Sequence, residues 1–261
     1  MNVCIDDTGV SALELKGIDP FSPTNEDILR FPFSNDAKLD QRFEELRNFG
    51  IENPYTPEDS ALLIGNGSLL SLAPVLPGSV FVTDYSISLL AWINSQITQL
   101  EASHSRSEFI EWMHDTVPAN RVNLVRAEES DDANNHFLIT DESFEKARSA
   151  LLDVNVHFVK VDYKSTASVR SLGRTIIYNG NLVRVANFTN VHARAFMSLG
   201  VEHEDHVRGV ELFADSLSSI PFTYPAAIFG SSSRSGLEPM PIAPDLQTYR
   251  ETMLEDISIT E

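Results

Sequence analysis

A pair of glycines and a few strand-ending polar residues carry the chemistry this sequence offers. The apolar run Ala61-Leu62-Leu63-Ile64 stops at Gly65-Asn66-Gly67-Ser68, and the run Ser79-Val80-Phe81-Val82-Thr83 stops at Asp84-Tyr85. This reads as strand, tight turn, helix, strand. Glycine at 65 and 67 lets the backbone turn sharply and lets a ligand approach with no Cβ in the way. A carboxylate at the tip of the next strand can accept hydrogen bonds from both hydroxyls of a ribose. In nucleotide-binding α/β folds it stands about 20 residues past the glycines, a spacing Asp84 meets. Leu70 stands where a dinucleotide fingerprint has its third glycine. A pyrophosphate resting on the helix N-terminus, and with it NAD or FAD, is therefore disfavoured. The plain alternative is a βαβ unit with two turn glycines and a surface aspartate.

Two more runs end the same way. Val156-His157-Phe158-Val159-Lys160-Val161 alternates as a strand does and stops at Asp162-Tyr163. Leu182 to Ala186 leaves through Asn187-Phe188-Thr189-Asn190. Gly65, Asp84, Asp162 and Asn187 thus close four successive strands. Ligands of open α/β sheets sit at those carboxyl ends.

The remaining elements must hold these ends together. Leu39, Phe43 and Leu46 recur at helical spacing, with Gly50 as a stop. Ser86 caps a helix whose stripe is Leu90, Ile93, Ile97 and Leu100. A second helix is expected over His104–Pro118, and a polar acidic loop over Arg121–Asn135. A short strand is expected at His136–Ile139, a helix from Asp141, and a short helix over Ser165–Arg170. Thr175–Tyr178 and Leu182–Ala186 read as a hairpin across Asn179-Gly180. Alternatively, only Val183–Ala186 joins the main sheet. Helices are expected at His192–Leu199, Glu204–Ile220 and Leu246–Leu254, and a last strand at Ala226–Phe229. Strands alternating with helices imply an α/β, doubly wound, mostly parallel sheet with helices on both faces. Residues 1–58, with Phe21, Phe31 and Phe33 and breaking prolines, are expected to form an N-terminal helical cover. Residues 59–261 would form the ligand-binding domain, with an insertion at about 103–140.

Composition narrows the classes. At 42% apolar residues the 261-residue chain can build a sizeable core. A net charge of -19 would be repelled by phosphate backbones and anionic lipid, so neither nucleic acid nor membrane is expected as partner. The lone Cys4 excludes an internal disulfide and a multi-cysteine metal site. No apolar run reaches membrane-spanning length, and the start, with Asp6-Asp7, lacks a basic-then-apolar leader; a cytoplasmic location is expected. His203 and His206 stand at i, i+3, whereas the helical zinc motif needs i, i+4, so no metal is expected. The Gly230–Gly236 turn lacks the Gly-x-Ser-x-Gly spacing of hydrolases. Oligomeric state is not legible.

Taken together, Ile64-Gly65-Asn66-Gly67-Ser68, Val82-Thr83-Asp84-Tyr85-Ser86, Val161-Asp162-Tyr163 and Val185-Ala186-Asn187-Phe188-Thr189-Asn190 resemble the motifs of class I S-adenosylmethionine-dependent methyltransferases. The resemblance covers roughly residues 55 to 230 and implies a Rossmann-like fold. It implies S-adenosylmethionine as cofactor, with Gly65, Asn66 and Gly67 flanking the methionine moiety and Asp84 on the ribose. Tyr85 would lie beside the ring, Asp162 at the adenine amine and Asn187 near the reacting centre. The family's acid two residues before the first glycine is here Leu63. The segment Asp84–Ala91 with its following helix is also similar to aminocarboxypropyl transferases, which use the same sulfonium. Methyl transfer is an in-line displacement that needs alignment above all. A base is needed only if the acceptor loses a proton; His192 and Tyr163 are the candidates by position. The expected activity is therefore methyl transfer to a small molecule. Aminocarboxypropyl transfer, or a degenerate Rossmann-like interaction or effector protein, stand as alternatives.

Overall fold

The computed structural model describes residues 9–21, 39–65, 69–118, 137–189, 203–230 and 240–258. Its strands are β1 (Gly9–Val10), β2 (Asp59–Ile64), β3 (Ser79–Asp84), β4 (Asn155–Lys160), β5 (Leu182–Asn187) and β6 (Phe222–Phe229). They form one sheet in the order β1-β4-β3-β2-β5-β6. All neighbouring pairs are parallel except β1 with β4. This is a Rossmann-like, doubly wound α/β fold, and the winding reverses between β2 and β5.

Both faces of the sheet are covered, which explains the near-continuous apolar strands. In β2, Ala61 and Leu63 join one core while Leu62 joins the other; in β3, Val80 and Val82 oppose Phe81. Successive side chains of a strand alternate between faces, so each run serves both cores. On the first face lie α1 (Ala12–Lys16), α2 (Leu39–Glu52), α3 (Leu69–Leu72), α4 (Ile87–Ala102), α5 (Arg106–Thr116) and α6 (Asp141–Leu152). On the second lie α7 (Thr166–Tyr178), α8 (His203–Ser216) and α9 (Leu246–Ser258).

Capping sets the helix starts. The Ser86 hydroxyl accepts from Leu89 N (3.3 Å) to open α4, and Ser165 does the same for α7 through Ser168 N. Thr140 and Ser143 form a reciprocal capping box at α6. The expected stripe of α4 is buried throughout: Leu90, Ile93, Ile97 and Leu100. Trp92 stacks on Trp112 (5.5 Å between centroids) and meets Phe21 edge-on (4.9 Å), so the N-terminal segment packs on α4.

Several expectations change. The hairpin does not form: Thr175–Tyr178 is the last turn of α7, and only the Leu182–Asn187 strand joins the sheet. Val169, Leu172 and Ile176 fall on one helical face and are fully buried, which outweighs the Asn-Gly turn signal. Gly173 permits that packing, since a Cβ there would stand 2.0 Å from the Ser219 carbonyl oxygen. Gly50 does not stop α2, which runs on to Glu52. The first 58 residues contribute strand β1 as well as helices. Phe137 to Ile139 form a turn before Thr140, with no strand. Phe31, Phe33, the 121–135 loop, the His192–Leu199 helix and the 231–236 turn lie outside the described residues.

The N-terminal segment is anchored through a charge. Arg42 is buried; its guanidinium donates to the carbonyls of Met240 and Gly230, pairs with Glu45 (2.7 Å) and lies 4.8 Å over the Phe229 ring. It therefore pins α2 to the end of β6.

Candidate functional site

The carboxyl edge of the sheet is built by ladder bonds between strand ends. Gly65 N donates to Thr83 O (2.8 Å), Val161 N to Asp84 O (2.9 Å) and Phe188 N to Phe229 O (2.8 Å). Leu63 lies opposite Asn187 across the switch point. The edge thus carries, in spatial order, Asp162 after β4, Asp84 and Tyr85 at β3, Gly65 at β2 and Asn187 at β5. With strands about 4.8 Å apart, the row from β4 to β5 spans roughly 14 Å.

Gly65 and Asp84 meet directly. Gly65 has φ +63°, a left-handed conformation that favours glycine. A Cβ on it would stand 3.3 Å from Asp84 Oδ2 and 3.7 Å from Leu89 Cδ2. The other Asp84 oxygen, Oδ1, accepts from Ser86 N at 2.7 Å, which fixes the carboxylate against the start of α4. A half-buried carboxylate is thereby held beside a bare backbone bend at the switch point, where ligands of such sheets bind.

The other expected residues take different places. Tyr85 follows Asp84 and is 54% exposed. Asp162 is exposed, and its Oδ1 accepts from Lys164 N (2.9 Å), an Asx-type turn. Asn187 is buried; its Oδ1 accepts from Thr189 N (2.9 Å) and from the Thr189 hydroxyl, so it shapes the turn leaving β5. Asn66, Gly67 and His192 lie outside the described residues.

Tyr163 is corrected from candidate base to core residue. Its ring meets Phe188 and Phe213 edge-on at 6.4 and 5.8 Å. Its hydroxyl lies 2.7 Å from Thr83 Oγ1, and Thr83 Oγ1 donates to Leu63 O (3.1 Å), so the tyrosine is the donor. Burial pushes this phenol well above its ordinary range. A buried neutral phenol whose proton is committed to Thr83 is a brace across β2, β3 and β4.

Two residues at this edge carried no signal in the sequence. Thr83 ties β2, β3 and Tyr163 together. Tyr249 of α9 reaches the ends of β5 and β6: its hydroxyl would stand 3.1 Å from a Cβ on Gly230. That hydroxyl is buried and finds no hydrogen-bond partner among the described residues. Among the described residues no cluster of His, Cys, Asp and Glu suits a metal ion. None of their helices is long and apolar enough to cross a membrane. A cavity of about 420 Å³ lies at the opposite, amino edge, lined by Thr56, Ser79, Asn155, His157 and Asn181 among others.

No protein-family model and no curated protein matches the sequence. Among solved structures, the chain is similar to the rRNA methyltransferase AviRa from Streptomyces viridochromogenes, at 13% identity and a TM-score of 0.41, over 82% of this chain and 80% of that one. That neighbour is named as acting on RNA, and the exclusion of nucleic acid drawn from net charge is corrected accordingly. A total of -19 is a sum over the whole surface and does not fix the charge around one edge.

Proposed function

We propose that this chain binds S-adenosylmethionine at the carboxyl edge of its sheet and transfers the methyl group from it. The observation that carries the reading is the Gly65–Asp84 contact: a left-handed glycine with a carboxylate oxygen 3.3 Å from where its Cβ would be, at the switch point. Asp84 grips the ribose hydroxyls. The bend at Gly65 admits the methionine portion against bare backbone. Tyr85 stands beside the purine, and Asp162, on the next strand out, accepts from its amine. The bound sulfonium supplies an activated methyl group. The chain's own part is alignment of donor and acceptor, which can account for much of the rate. If the acceptor must lose a proton, His192 is the remaining positional candidate for base.

The test is incubation of the full chain with S-adenosylmethionine and two acceptor sets, a small-molecule amine and hydroxyl panel and ribosomal RNA, followed by mass spectrometry of the nucleoside product. S-adenosylhomocysteine formed together with a methylated acceptor supports the reading. Methylthioadenosine instead would mark aminocarboxypropyl transfer. Neither product, with no bound cofactor, would leave a degenerate interaction domain.

A further inference from the structure

Charge is spread unevenly along this chain. From Tyr163 to Val201 there is no Asp or Glu, while Lys164, Arg170, Arg174, Arg184 and Arg194 all fall there. At the mean density of 38 acids in 261 residues, a stretch of that length would hold about six. The rest of the chain sets all 38 acids against 14 of the 19 cations. We propose that the turn after β4 and the outer face of α7, where this stretch reaches the surface, form a docking track for a single-stranded nucleic acid.

The fold brings the cations out in a line. α7 buries Val169, Leu172 and Ile176 against the sheet. Arg170 and Arg174 are thereby exposed on the opposite side, one turn apart and about 6 Å along the axis. Tyr178 follows a turn later and is 65% exposed. At about 100° per residue the three lie within a sector of about 80°. Lys164, also exposed, stands in the turn that leads into the helix. α7 returns the chain from the end of β4 to the start of β5, so the line begins at the carboxyl edge, next to Asp162. Among the described helices of eight or more residues, α7 alone contains no acid.

Cations at this spacing neutralise phosphates of one strand and release its counterions, and an exposed ring gives a base a face to stack on. Charge paired with a ring fits a single strand better than an inorganic anion or an acidic peptide, which has no use for the ring. Width argues against broader polyanions. α8 packs beside α7 and exposes Glu204, Glu211 and Asp215 against Arg208. A duplex or an anionic vesicle that covers both helices meets those carboxylates, whereas a strand laid along α7 does not. One end of such a strand arrives at the carboxyl edge. That its nucleotide there is the methyl acceptor rests on the proposed transferase activity; the docking itself stands on charge and shape.

The experiment is fluorescence anisotropy of the full chain with a labelled oligouridylate of about twelve nucleotides. Oligothymidylate of the same length, an RNA duplex and phosphatidylserine vesicles are run beside it. Saturable binding of a single strand is expected, with log affinity falling against log salt at a slope of about -2 for three cations. Arg170→Glu with Arg174→Glu should weaken it about tenfold or more and flatten the slope by about 1.4. Tyr178→Ala should weaken it about fivefold or more and leave the slope unchanged. A matched reversal on the other face, Arg47→Glu with Lys146→Glu, should leave binding within about twofold, since those exposed charges are screened from the track. No saturable binding of either strand at low salt, tighter binding of duplex or vesicle, or an equal loss in the matched reversal would overturn the proposal. S-adenosylmethionine affinity is measured on every variant and should not change. A chain that binds the cofactor but neither strand overturns the track alone; one that binds a strand but no cofactor overturns the transferase reading and leaves the track.

Discussion

Gly65→Ala separates backbone strain from the loss of a ligand contact. Gly65 and Gly180 both hold positive φ, at 63° and 74°. An alanine at either is strained by about 1–2 kcal/mol. For a chain of this size that lowers the melting temperature by about 2–8 °C. Their surroundings differ. A Cβ at Gly180 meets nothing within 4 Å, whereas at Gly65 it meets Asp84 Oδ2 at 3.3 Å. The carboxylate must shift, and a charged hydrogen bond lost with it is worth about 1.5–3 kcal/mol, about tenfold to a hundredfold in affinity. Thermal denaturation should therefore show similar losses for both variants. Calorimetric titration with S-adenosylmethionine should show weakened binding for Gly65→Ala alone. In an Asp84→Ala background, Gly65→Ala should then cost little further affinity, since the two act through one contact. Equal affinities for the two glycine variants, or additive effects in the double variant, would refute the reasoning.

Three other outcomes follow from the geometry. Tyr163→Phe removes the hydroxyl bonded to Thr83 and should cost about 0.5–1.5 kcal/mol in urea denaturation while any transferase activity persists; loss of turnover at full stability would restore Tyr163 as a base. Gly173→Ala drives a Cβ to 2.0 Å from Ser219 O and should destabilise the chain by about 1–3 kcal/mol or more, read as a lower denaturation midpoint. For His157, burial lowers the folded-state pKa below 6.5, so between the two values the unfolded chain binds more protons. Stability from this group is present above the unfolded pKa and is lost as pH falls toward the folded one. His157→Gln should flatten that acid limb in pH-dependent denaturation, and an unchanged slope would contradict the assignment.

The parallel core was legible because fully buried strands must be apolar on both sides, as Ala61-Leu62-Leu63 and Val80-Phe81-Val82 are. Polar stops at Gly65, Asp84, Asp162 and Asn187 marked one edge for the same reason: the chain leaves the core there. The α7 segment misled because Asn179-Gly180 is a good turn after a helix as well as between strands. Its apolar spacing over Val169, Leu172 and Ile176 decided the matter. Strand β1 is two residues long and carries no periodicity to read. Tyr163 followed a strand-end acid and so looked accessible, but its odd-even position turns it into the second core. The amino-edge cavity was invisible in sequence because its lining comes from four separate stretches of chain. No local pattern joins them.

Isothermal titration calorimetry with S-adenosylmethionine and S-adenosylhomocysteine, on the full chain and on Asp84→Ala, addresses the central claim directly. Saturable binding of both nucleosides, weakened about tenfold or more by Asp84→Ala, is the expected result. Absence of binding by either at millimolar concentration, or an affinity that ignores Asp84, would contradict a nucleoside site at the Gly65 bend.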